Sequence, residues 1–180
     1  MRWLAVVAYI GSIFMANWFI QNVGTQYTPG GPHVIPVGFG LEAPSGVLWV
    51  GVALVARDLV QQFFGSRIAI AAMIIGAALS YFVAPSLALA SAAAFLLSET
   101  ADFLVYTPLM RRDKFILAVF LSGTVGLVID SIVFLALAFG SLEFLAGQVV
   151  GKLWVTIAGA AVLWLIRRRE PRAIPEYAPD

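Results

Sequence analysis

The sequence predicts an all-α integral membrane protein, a six-transmembrane-helix bundle with both termini in the cytoplasm. Three observations carry that expectation. The first is composition: 61% of the 180 residues are hydrophobic and only 12% are charged, where a soluble domain would carry about 25% charged residues. The second is a succession of apolar runs long enough to cross the hydrocarbon layer as helices. The third is the placement of the cations. Arg2, Arg67, Arg111, Arg112, Lys114, Arg167, Arg168, Arg169 and Arg172 lie at the N-terminus, in alternate turns or in the tail, and Arg57 and Lys152 complete the 11 lysines and arginines. The intervening segments 22–45, 84–85 and 140–143 hold none. Cytoplasmic loops collect lysine and arginine, so all nine loop charges place the same side inward.

The first apolar run, about 3–20, follows Arg2 as a signal peptide would. It is long enough to span, lacks a small-x-small cleavage site and precedes further spans, so it reads as a retained helix. Asn17 and Gln21 are its polar positions, and Ala8, Ser12 and Ala16 form a stripe that lets another helix approach closely. Residues 22–45 form the one long loop, broken by Pro29, Pro32, Pro36 and Pro44. Its apolar part, Val34 to Leu41, fits a re-entrant or lid segment or an ordered external loop. The second span, 46–64, contains Arg57, Asp58, Gln61 and Gln62. The third, 68–83, is uncharged, with Ala72, Gly76 and Ser80 suited to close packing. The fourth, 86–106, contains Glu99 and Asp102. The fifth, 115–139, contains Asp130, and the sixth, 144–166, contains Gln148 and Lys152. Residues 1–166 thus form the transmembrane domain, and the basic, proline-containing stretch 167–180 is expected to be a disordered cytoplasmic tail.

Glu99 and Asp102 set the functional question. Three positions apart on a helix, they share a face, with Phe95 a turn before and Tyr106 a turn after. Each ionised group inside a bilayer costs a few kcal/mol even on insertion scales. At 1.5 Å per residue, Arg57 and Glu99 both lie roughly 17–19 Å from the outer face, and Asp130 and Lys152 roughly 13–14 Å. Asp130–Lys152 is therefore expected as one ion pair, and Arg57 with Glu99 or Asp58 as another. Arg57, Lys152, Asp58, Glu99, Asp102 and Asp130 sum to −2, so pairing leaves a carboxyl to be protonated or to meet a ligand. The plainer readings are that Arg57 snorkels to headgroups, that Asp130–Lys152 is a structural clamp, and that Gly123, Gly126, Gly147 and Gly151 serve packing.

Four helices converging polar groups on one depth suit a small polar solute. Carboxylates accept N–H donors, a cation meets a carbonyl oxygen, and Phe95, Tyr106 and Trp154 offer stacking surfaces; a guanine-like edge has that pattern of donors and acceptor. Asn17, Gln21 and Gln61 are secondary polar candidates. No catalytic residues, cofactor or metal site are expected. Cysteine is absent and His33 is the single histidine, there is no GxSxG or HExxH motif, and no basic domain supports nucleic-acid binding.

The stretches FGLEAPSG, ARDLVQQFFGSR, SETADFLVYTPLMRR, SGTVGLVIDSIVFLALAFG and GQVVGKLWVTIAG resemble, in this order, the VUT/YhhQ family of queuosine-precursor transporters. The resemblance runs from the long loop to the sixth helix. It implies import of 7-cyano-7-deazaguanine or 7-aminomethyl-7-deazaguanine across the inner (cytoplasmic) membrane, for making the modified tRNA nucleoside queuosine. It places Asp58, Asp102, Asp130 and Lys152 at recurrent polar positions of that family. The implied partners are the purine-like substrate, membrane lipid and a coupling proton or sodium ion, with homo-oligomerisation open. The alternative is a vitamin-binding substrate subunit of an energy-coupling-factor importer, docking through the Ala8–Ser12–Ala16 stripe. No P-loop is present, so energy would then come from other chains.

Overall fold

The structure is a computed structural model that describes residues 2–110, 112 and 115–169; the side chains of Asp58 and Gln62 lie outside the described residues, as does the expected tail from 170 onward. Six helices are present among the described residues: α1 (Arg2–Asn22), α2 (Val47–Phe64), α3 (Ser66–Tyr81), α4 (Pro85–Met110), α5 (Phe115–Phe139) and α6 (Leu145–Arg169). Local chemistry sets their ends. Gly65, at φ 82°, breaks the chain between α2 and α3, and Pro85 opens α4, where its missing N–H costs no hydrogen bond. Three stretches are long and apolar enough to cross a membrane: Arg2–Asn22, Pro85–Leu109 and Phe120–Phe139. Arg67–Tyr81 and Leu145–Gly159 are shorter apolar helices.

Packing makes the polarity of the bundle run inside out. α1 packs on α2 and α3, α2 on α6, α3 on α4, and α4 along α5. Tyr9, Ala56, Val60 and Met73 make one core, and Ile20, Leu87, Ala94 and Leu135 another. Leu4, Ile74, Leu89, Leu97, Phe103 and Leu137 point outward, while Ser12, Asn17, Ser131, Gln148 and Lys152 are buried. An exterior of large apolar side chains, with the polar groups held between helices, is the arrangement a hydrocarbon solvent selects.

The all-α expectation needs one correction. Residues 22–45 carry a three-stranded antiparallel sheet in the order β1 (Thr25–Gln26), β2 (His33–Gly38) and β3 (Leu41–Pro44). The prolines that break a helix are tolerated here for a simple reason. β1 pairs only with His33 and Val34, so Pro36 lies beyond its end and owes it no N–H. Phe39 and Gly40, at φ 55° and 70°, make the two-residue turn that closes the hairpin. The hairpin lies along α6. A Cβ on Gly147 would overlap the Glu42 carbonyl, one on Gly151 would sit 2.9 Å from Val47 Cγ2, and at the tip Phe39 stacks on Trp154 at 6.4 Å. Below it, Gly51 of α2 receives Val155 and Gly159 of α6 receives Val55. At the α1 side, His33 Nδ1 lies 3.1 Å from the Ile20 carbonyl oxygen.

Two measurements check this arrangement. Gly147→Ala forces a methyl against backbone, so it is expected to lower stability by roughly 1–3 kcal/mol, read as a lower thermal midpoint of the purified protein. The second concerns Tyr27, whose hydroxyl donates to Glu42 Oε1 at 2.8 Å. That hydrogen bond, then desolvation, then the Glu42 charge hold the phenol above its ordinary 10.0. A raised folded pKa means the link contributes stability at pH below 10.0 and loses it as pH rises through the folded value. Ultraviolet titration, with Tyr27→Phe subtracted, should show late ionisation that Glu42→Gln returns toward normal.

Candidate functional site

Two ion pairs join different helices: Lys152–Asp130, as expected from depth, and Arg57–Glu99, one of the two partners expected for Arg57. On α6, Lys152 donates to Asp130 of α5 and, at 3.0 Å, to the Ser131 hydroxyl. Lys152 is 2% exposed. Gln148 lies four residues earlier, hence on the same helical face, and is 3% exposed. On α2, Arg57 is paired with Glu99 of α4, and its guanidinium carbon lies 6.0 Å from the Phe95 ring centroid. This second pair is more open, with side-chain exposures of 21% for Arg57 and 46% for Glu99.

The open pair lines a cleft of about 370 Å³ with Gln61, Ala69, Phe95 and Thr100. It lies toward the α2 C-terminus and the α3 N-terminus, the end of the bundle away from the sheet. Asp102 does not line it. A Cβ on Gly126 of α5 would sit 3.5 Å from the Asp102 Cβ and 3.8 Å from its Oδ1, so Asp102 lies against α5. The face expected to unite Glu99 and Asp102 is thus divided: three residues on a helix leave two side chains about 60° apart, enough for one to meet α2 and the other α5.

The remaining sequence candidates separate in the same way. Asn17 is 1% exposed and accepts a hydrogen bond from Ser91 of α4 at 3.3 Å. Gln21 is exposed at the end of α1, and Tyr106 is half-buried. Trp154, expected to stack on a ligand, instead stacks on Phe39 at the hairpin tip. Ser131 and Ser91 were not legible as site residues, because serine in an apolar helix most often bonds its own backbone. The adjacency of Ser131 to Asp130 was the one available signal.

With this geometry in place, comparison gives one match. Residues 81–166 match the family model described as "Putative vitamin uptake transporter". That stretch contains α4, α5 and most of α6, and with them Glu99, Asp102, Asp130, Gln148 and Lys152. No curated protein and no solved structure matches the chain.

The buried pair makes a sharp prediction. Lys152→Met leaves Asp130 without its cation and should destabilise on the order of 3 kcal/mol, whereas Lys152→Met combined with Asp130→Leu should regain much of the loss. Thermal unfolding of the wild type, both single variants and the double variant measures the coupling.

Proposed function

We propose that this protein is a membrane transporter that imports 7-deazaguanine queuosine precursors, 7-cyano- or 7-aminomethyl-7-deazaguanine, into the cytoplasm. In this reading all six helices cross the inner membrane and both termini are cytoplasmic. The observation that carries it is the pair of interhelical ion pairs, Lys152–Asp130 and Arg57–Glu99, inside a bundle whose outer surface is apolar. Charges paired at two depths of the bundle, one pair buried and one open, are costly scaffolding but a workable route for a solute that can exchange hydrogen bonds with each pair in turn. The match of residues 81–166 to a vitamin uptake transporter model supports transport of a small organic solute. The ordered motifs of the sequence supply the narrower substrate class.

The proposed mechanism uses the chain's own charges as exchangeable partners. The planar base offers N–H donors to Glu99 or Asp102 and its carbonyl oxygen to Lys152 or Arg57. Asp130 holds Lys152, or carries a proton where transport is proton-coupled. Gln148 adds to the polar wall, with Gln61 beside the inner pair, and Phe95 and Tyr106 supply apolar surface for the ring; Asp58 remains a candidate from the sequence alone. Each ion pair opens only when the solute replaces the lost partner, which keeps an empty carrier from leaking ions.

The subunit reading has less support. Two of the three positions of the stripe that would dock a partner are taken up inside the chain, with Ser12 buried and the Ala16 carbonyl within 2.6 Å of where a Cβ on Gly46 would lie, while Ala8 is exposed. Uptake of labelled precursor by precursor-dependent cells expressing this chain alone tests the proposal. The Glu99→Gln, Asp102→Asn double variant should lose roughly tenfold or more in uptake. Wild-type uptake by that variant would remove the carboxylates from the mechanism.

A further inference from the structure

Four buried side-chain atoms find no hydrogen-bond partner among the described residues: Asn17 Nδ2, Ser45 Oγ, Ser80 Oγ and Gln148 Oε1. All four belong to the same end of the bundle, near the C-termini of α1 and α3, the N-terminus of α2 and the N-terminus of α6. This is the end that the sheet covers. Buried polar atoms in a folded protein are nearly always paired, and an unpaired one marks either water or a function. Four at one end, with their residues 0–3% exposed, form a pattern rather than an accident.

Backbone contacts order three of them along one crossing of the chain at this end of the bundle. β3 touches α6 where Glu42 meets Gly147, and four residues later Gly46 touches α1, its Cβ position 2.6 Å from the Ala16 carbonyl oxygen. The connection therefore crosses from α6 to α1, and Ser45 sits on that crossing as a roof. Asn17, one residue beyond Ala16, stands on the α1 side. Gln148, one residue beyond Gly147, stands on the α6 side. A turn deeper on the same face of α6, Lys152 and its partner Asp130 make the floor. Lys152 donates to Asp130 and Ser131, and its third N–H has no partner among the described residues. The pair cancels in net charge, so the space offers donors and an acceptor without a net charge of its own.

We propose that this roofed space is the outer binding station of the carrier, and that it takes a planar solute carrying both N–H donors and a carbonyl acceptor. Gln148 Oε1 accepts from the solute, and Asn17 Nδ2 and the Lys152 ammonium donate to it. Ser45 Oγ adjusts to either role by rotating its proton. The station is distinct from the open cleft at Arg57 and Glu99, which lies at the opposite end. It deepens the transport reading above and rests on it for the choice of solute.

The test uses the full chain in lipid nanodiscs with 7-cyano-7-deazaguanine as the probe. Binding is read by titration calorimetry, and the thermal midpoint is measured without the probe. Gln148→Met keeps the side-chain volume and deletes the unpaired acceptor. It should weaken probe binding at least tenfold while raising the ligand-free midpoint by roughly 2–4 °C, because an orphaned buried group is removed. Ser45→Ala should show the same two signs with smaller size, and keeps the test decisive if Gln148→Met fails to fold. Glu143→Gln, on the exposed loop before α6, should alter neither quantity. Unchanged probe affinity in Gln148→Met and Ser45→Ala, or a fall in the ligand-free midpoint, overturns the station. Wild-type protein that does not bind the probe overturns the deazapurine reading, and the station is then decided by the sign of the midpoint shifts alone.

Discussion

A lysine that is almost wholly buried among apolar helices needs its carboxylate more than it needs anything else in the fold. Lys152 fixes α6 against α5 through Asp130 and Ser131, and α6 in turn holds both the β2–β3 hairpin and α2. Hydrophobic burial does little to choose between helix arrangements when the solvent is itself hydrocarbon. A specific charged contact can choose. The pair thus sets the rotation of α6 about its axis, and that rotation puts the glycines on the hairpin side and Gln148 on the interior side.

The second pair has a different character. Arg57 and Glu99 join α2 to α4 across a cleft and remain partly exposed. An open pair exchanges partners at lower cost than a buried one. The bundle therefore has a tight electrostatic contact at the sheet-covered end and a loose one at the other. The unpaired amides lie with the tight one. In the transport proposed above, this asymmetry would let the two ends answer a solute differently, since a solute must supply what the buried groups lack but need only compete with what the open ones already have.

Much of the helical skeleton was legible in the sequence. Apolar runs bounded by glycine, proline and loop arginines put α2 at 46–64 against Val47–Phe64, and α5 at 115–139 against Phe115–Phe139. Depth counted along antiparallel helices found both ion pairs, because helical rise is constant. The sheet was not legible, since four prolines and five glycines in 22–45 mask the strand pattern of Val34, Ile35 and Val37. Only pairing partners reveal that Pro36 sits where no N–H is needed. The separation of Asp102 from Glu99 was missed as well. Sequence spacing gives the angle between two side chains but not which neighbouring helix occupies it.

The seam of glycines on α6 bears on how natural variation in this protein should be read. Gly147 is held by the Glu42 carbonyl, Gly151 by Val47 and Gly159 by Val55, each by contact with the protein itself. Relatives will keep these positions small whatever solute they handle, so invariance there reports assembly. Positions such as Gln148, one residue from that seam and facing the other way, are free of the steric demand. On the binding station proposed above, a change of substrate among relatives should leave its trace at Gln148 and Asn17, beside a glycine pattern that stays silent.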